Sequence, residues 1–202
     1  MSIELPLRVT ELLASRICHD LISPVAAINN GVELVEELGP DGLNDALDLI
    51  GQSGKSAARK LMFLRLAYGA AGSEAGLSWR DLREATESFF EGGKAAVKWE
   101  ETATAFKTGE PKLVLNMALA VVECLPHGGT VSIAGDDAGV LRVSGKGNVL
   151  LKPEIEDALA GKCTVDSLGP RNIHAFLTHQ FARAAGRSLT LQNGGDTIVL
   201  SA

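Results

Sequence analysis

Ile17-Cys18-His19-Asp20-Leu21-Ile22-Ser23-Pro24-Val25-Ala26-Ala27-Ile28-Asn29-Asn30-Gly31-Val32 is the stretch whose reading decides the fold. Ile17, Leu21, Val25, Ile28, Val32 and then Val35 recur in steps of four and three, which lays them along one stripe of a helix. The helical period extends from about Leu5 to Leu38. Leu38-Gly39-Pro40-Asp41-Gly42 then joins a helix-ending glycine, a proline and an Asp-Gly pair, so the chain is expected to reverse there. A second stripe follows from Leu43 as Leu47, Ile50, Gly54, Ala57, Leu61, Leu64 and Tyr68, the spacing of a bundle seam with small residues at its middle. A two-helix antiparallel hairpin cannot cover its own apolar faces on every side. Pairing of two copies into a dimeric four-helix bundle is therefore expected.

Beyond the hairpin, Gly69 to Gly76 is rich in Gly and Ala and reads as a linker. The expected division is 1–72 for the helical hairpin and 77–202 for a second domain. In the latter, helices are expected at Ser78–Phe90, from about Pro111 to Leu125 and at Ile173–Ala185. Strands are expected at Ala95–Trp99, Thr130–Ala134, Val140–Val143, Ser188–Gln192 and Thr197–Leu200, the last two joined through Asn193-Gly194-Gly195-Asp196. This is the pattern of an α+β sandwich. No internal repeat or low-complexity tract interrupts it.

With 202 residues, 46% of them hydrophobic, the chain can bury a substantial core without disulfides or a structural metal. Its net charge of −6 argues against a nucleic-acid surface, which needs clustered Lys and Arg, and points to protein partners. Cys18, Cys124 and Cys163 are odd in number and lack ligand spacing, so reduced thiols and no zinc site are expected. The opening residues lack the pattern of a signal peptide, and no apolar run approaches the about 18 residues of a membrane span. A cytoplasmic protein without membrane contact is the expectation.

His19 lies mid-helix. At about 100° per residue it is about 200° from both Ile17 and Leu21, so its imidazole is expected on the side facing away from the seam, in solvent. Its neighbours there, at steps of three, four and seven, are Ser15, Arg16, Ile22, Ser23 and Ala26. Pro24 cannot donate to the carbonyl of Asp20 and crowds it, at a cost of about 3 kcal/mol for an interior proline. A proline that frees a carbonyl beside an exposed imidazole suggests a function, because an uninterrupted bundle helix would be more stable. Cys18 and His19 diverge as helical neighbours and form no catalytic pair, and Cys18 is expected to be a buried small hydrophobe. His127, His174 and His179 show no ligand-like clustering. Each is expected to be satisfied or solvated.

His19-Asp20-Leu21-x-x-Pro24 resembles the H-box of histidine kinases and bundle phosphotransferases, and the wider run His19 to Gly31 is similar to the ChpT-type histidine phosphotransferases. The resemblance in domain order covers essentially the whole chain. It implies a dimerising hairpin followed by a degenerate histidine-kinase ATPase-like α/β sandwich, with His19 as phosphoacceptor. A neutral imidazole is a nucleophile near neutral pH and can attack a phosphoryl group held on an aspartate. A receiver domain would bring its own phosphoaspartate and Mg²⁺, so no intrinsic cofactor is expected. Asp20 either orients the imidazole and holds its proton, as in the resembling kinases, or is a solvated carboxylate. Arg16 would help neutralise a phosphoryl group or is merely solvated. Ile22, Ser23, Ala26 and Asn30, with Arg16, are the candidate receiver-docking residues. The implied partners are the receiver domain of a hybrid histidine kinase and the receiver domains of response regulators, of the cell-cycle type by resemblance.

The nucleotide motifs of a kinase are eroded. Val143 stands where Asp-x-Gly-x-Gly needs its adenine-reading aspartate, before Ser144-Gly145-Lys146-Gly147, and Ser167-Leu168-Gly169-Pro170 makes a poor phosphate loop. Asn116 resembles a Mg²⁺-holding kinase asparagine but sits in an apolar context. A phosphorelay transferase that does not use ATP directly is the leading reading. An ATP-dependent histidine kinase with a divergent nucleotide site and a noncatalytic dimeric adaptor are the alternatives.

Overall fold

The computed structural model describes residues 6–38, 42–70, 77–100, 109–136 and 139–202. Helix α1 (Leu7–Leu38) runs unbroken through Pro24, and α2 (Leu43–Tyr68) returns beside it. Gly31 of α1 faces Ala46 and Ile50, whereas Asp20 faces Lys60, so the two helices run in opposite directions. Close approach is built into Gly31, where a Cβ would lie 2.6 Å from Ile50 Cγ1. The expected turn residues 39–41 and linker residues 71–76 lie outside the described residues.

Helix α3 (Trp79–Phe90) begins at a capping box. Ser78 Oγ accepts from the Asp81 N–H at 3.2 Å, and the Asp81 carboxylate accepts from the Ser78 N–H at 2.9 Å. Strand β1 (Ala95–Trp99) leads to α4 (Glu110–Glu123), whose N-cap Gly109 has φ +85°, followed by Pro111 at the first turn. Apolar residues surround α4 on nearly all sides, as suits a helix at the centre of a core. Strands β2 (Gly129–Gly135) and β3 (Leu141–Gly147), helices α5 (Pro153–Leu159) and α6 (Ile173–Ala184), and strands β4 (Thr190–Asn193) and β5 (Thr197–Ser201) complete the order.

The sheet order is β1-β2-β3-β5-β4, with β1 and β2 parallel and every other pair antiparallel. Alternation buries Val131, Ile133, Val143, Ile198 and Leu200 against the helical layer, giving an α+β arrangement. Strand β3 outruns the expected Val140–Val143. Gly145 carries no side chain where a Cβ would meet Val121 of α4 at 2.7 Å, so the strand continues under the helix instead of turning.

The hairpin joins this core. Phe63, Leu64, Leu66 and Ala67 of α2 are buried in the same cluster as the sheet, and Phe63 stacks on Phe89 with ring centroids 4.0 Å apart. Val9 and Leu12 of α1 pack with Leu168, Ile173 and Leu177. The N-terminal turns of α1 and the C-terminal turns of α2 are thereby anchored, and His19 lies just beyond that anchorage.

Candidate functional site

Helix α1 presents three faces. Pro24, Gly31 and the half-buried Ile17 and Ile28 turn inward, while Ile22, Val25 and Val32 stand exposed in an apolar stripe. His19 occupies the third face, away from the inward one, and its side chain is 82% exposed. Its expected emergence into solvent is observed. Ser15, Ser23, Ala26 and Asn30 are exposed around it, and Ile22 is 65% exposed between the histidine and the apolar stripe. A shallow groove beside them runs between the helices past Ser23, Pro24 and Ala27 of α1 and Gln52, Ser56 and Lys60 of α2.

Asp20 adopts the rotamer that reaches its neighbour. Its Oδ1 lies 3.2 Å from His19 Nδ1 in hydrogen-bonding geometry. A carboxylate only accepts, so this bond places the imidazole proton on Nδ1 and leaves the Nε2 lone pair free toward solvent. The other carboxylate oxygen, Oδ2, accepts from Arg16 Nε at 3.4 Å. The Arg16 guanidinium also lies 3.4 Å from Glu123 Oε1, at the end of α4. Arg16 is thus neither free nor simply solvated.

Pro24 leaves the Asp20 carbonyl without its helical donor, as the sequence indicates, and Lys60 supplies another: Nζ donates to that oxygen at 2.9 Å. Periodicity carries no trace of this contact, which joins residues 40 apart. Glu123, His174 and Tyr68 were equally hidden. His174 is 1% exposed, with Nδ1 3.1 Å from Glu123 Oε1 but out of line for a hydrogen bond, and neither ring nitrogen has a hydrogen-bond partner. The expectation that His174 is satisfied or solvated is therefore corrected; packing at the α4–α6 contact buries its ring beside Tyr68, ring centroids 5.9 Å apart. His179 instead has Nδ1 3.0 Å from the Leu159 carbonyl, and His127 is exposed.

Cys18 is also corrected. It is exposed, because a turn of about 100° from Ile17 directs it to the stripe of Val25 and Val32 and not toward α2. Cys124 is the buried thiol, pushed up to about 12 by burial first and by Glu123 second. The Tyr68 phenol is likewise raised well above its ordinary range, by burial first and then by Glu123. Asn116 is fully buried and donates its amide to the carbonyls of Ala67 at 2.9 Å and Lys112 at 2.8 Å, tying α4 to α2. Among the described residues no group of three or more His, Cys, Asp or Glu could hold a metal ion, and no helix is long and apolar enough to cross a membrane.

The chemistry of an exposed, oriented imidazole on a two-helix face agrees with the comparisons to known proteins. A family model described as the histidine phosphotransferase C-terminal domain matches residues 79–197. A protein phosphotransferase ChpT of Brucella abortus (strain 2308) is 34% identical over 197 residues, covering 95% of this chain and 93% of that protein. A solved bacterial phosphotransferase is 32% identical with a TM-score of 0.82, covering 99% of this chain and 98% of the other. Matched by the family over more than half of its length and by these relatives over nearly all of it, the chain belongs to the histidine phosphotransferases.

Proposed function

We propose that His19 is the phosphoacceptor of a two-component phosphorelay, loaded from the receiver domain of a hybrid histidine kinase and unloaded onto response-regulator receiver aspartates. The observation that carries this reading is the hydrogen bond between Asp20 and His19 Nδ1 on an otherwise exposed imidazole. In the loading step the Nε2 lone pair attacks phosphorus. The N–P bond forms as the acyl phosphate P–O bond breaks, and its electrons leave with the receiver carboxylate. The positive charge that builds on the ring is stabilised by Asp20 through the retained Nδ1 proton. Mg²⁺ belongs to the receiver, whose docking site is the face formed by Arg16, Ile22, Ser23, Ala26 and Asn30 with the adjoining groove.

Two chains pair through the hairpin into a four-helix bundle. Among the described residues every large apolar side chain left exposed, Leu150 excepted, lies on α1 or α2: Leu7, Ile22, Val25, Val32, Leu43, Leu47, Leu61 and Met62. Such a concentration marks a covered face. The second domain is a kinase ATPase-like fold kept without nucleotide use, in a cytoplasmic protein. Val143 in place of the adenine-reading aspartate, and an Asn116 amide committed to Ala67 and Lys112, support that reading.

The test incubates the protein and its His19→Ala variant with labelled ATP alone, then with a phosphorylated hybrid-kinase receiver. Label on the wild type in the second case only supports the relay. Label from ATP alone would make it a kinase, and receiver binding without label an adaptor.

A further inference from the structure

Helical neighbours diverge by about 100°, so the Asp20–His19 bond needs Asp20 held in one rotamer. Arg16, one turn earlier, holds the second carboxylate oxygen, but an arginine is long and needs an anchor of its own. That anchor comes from the other domain. Glu123 Oε1 lies 3.4 Å from Arg16 Nη2, and its carboxylate is hemmed in by the buried ring of His174 at 3.1 Å and the buried phenol of Tyr68. The packing of Val9 and Leu12 against Ile173 and Leu177 fixes α1 against α6 on the same side of the molecule.

Building on the role assigned above to His19, we infer that Glu123 is a positioning residue for phosphotransfer, acting on the His19 imidazole through Arg16 and Asp20. It does so in two ways. Its charge shares Arg16, so Asp20 faces a partly balanced guanidinium and keeps its negative charge directed at the Nδ1 proton. Its fixed place at the end of α4 also sets where the guanidinium sits, and hence which rotamer Asp20 takes. Arg83 of α3 pairs with Glu87 on its own helix. The second domain accordingly contributes to the transfer step itself and is more than a scaffold beside it.

The test uses full-length Glu123→Gln, Arg16→Ala and the double variant. ¹⁵N shifts of the His19 ring, assigned by loss in His19→Ala, report its tautomer. Single-turnover transfer from a receiver domain phosphorylated with phosphoramidate reports the step. Both single variants are expected to move His19 toward a mixture of tautomers and to slow transfer by about tenfold at saturating receiver, and Glu123→Gln, which lies outside the docking face, should leave the half-saturating receiver concentration unchanged. The double variant should lose no more than either alone. A wild-type tautomer and rate in Glu123→Gln, additive losses, or a lowered Tm with the tautomer unaltered would each overturn the inference. If the wild type takes no phosphoryl group, the phosphoacceptor assignment fails, while the tautomer comparison still judges the coupling to Glu123.

Discussion

Lys60 Nζ donates at 2.9 Å to the Asp20 carbonyl oxygen, the acceptor that Pro24 leaves without a helical partner. The helix tolerates its interior proline because α2 replaces the missing donor with a charged one, in the turn that carries the phosphoacceptor candidate. Lys60→Met removes it and should cost about 1 kcal/mol of stability at this partly exposed site. In a Pro24→Ala background, where the helical bond is restored, the same substitution should cost measurably less. Urea unfolding of the four proteins gives the comparison, and equal costs in both backgrounds would dissociate Lys60 from Pro24.

The exposed stripe of α1 and α2 predicts a dimer that charge should split. Val25→Glu with Leu47→Glu is expected to give a folded monomer by sedimentation, with unchanged far-ultraviolet circular dichroism. Cys18 lies in that stripe, so its alkylation by iodoacetamide should be slow in the dimer and faster in the monomeric variant. Buried Cys124, with its thiol pushed up to about 12, should react only on unfolding in both. A charged variant that stays dimeric would place the interface elsewhere.

Tyr68 is the single tyrosine of the chain, so phenolate absorbance near 295 nm reads it alone. Its folded pKa is raised, by burial first and by Glu123 second. The stabilisation from keeping it protonated is complete below the unfolded value of about 10 and declines as pH rises above it. Phenolate should therefore appear together with alkaline unfolding and not before it. Tyr68→Phe should flatten the fall of Tm above about pH 10; titration in the native state at the ordinary value would refute the buried placement.

Gly145 is the close-packing point between β3 and α4. Gly145→Val would press a Cβ into Val121 Cγ1 at 2.7 Å, Leu125 Cδ1 at 3.1 Å and Ile198 Cγ2 at 3.1 Å. An overpacking cost of about 1–3 kcal/mol is expected, read as a lowered unfolding midpoint in denaturant.

That glycine also marks what the sequence could and could not disclose. Long, periodic α1 and α2 were legible because four-and-three spacing is a local property, and Ala95–Trp99 was legible from its length and flanking residues. Gly145 fell outside the expected strand, which ended at Val143, since its reason for being glycine is a helix that crosses it from elsewhere in the chain. The seven-residue α5 is too short to show a period, and no expectation covered it. At the site, His19, Asp20 and Pro24 share one helix and announced themselves by spacing. Lys60, Glu123 and His174 arrive from three other elements, and only the fold brings Lys60 to Asp20, Glu123 to Arg16 and His174 to Glu123.

With its proton kept on Nδ1 by Asp20, His19 should take a phosphoryl group on Nε2. The direct measurement is ³¹P and ¹⁵N NMR of the protein after loading from a phosphorylated receiver, with the modified peptide identified by mass spectrometry. The expected result is phosphoryl on Nε2 of His19 and none on His127, His174 or His179. Phosphorylation at Nδ1 of His19, or at another histidine, would contradict it.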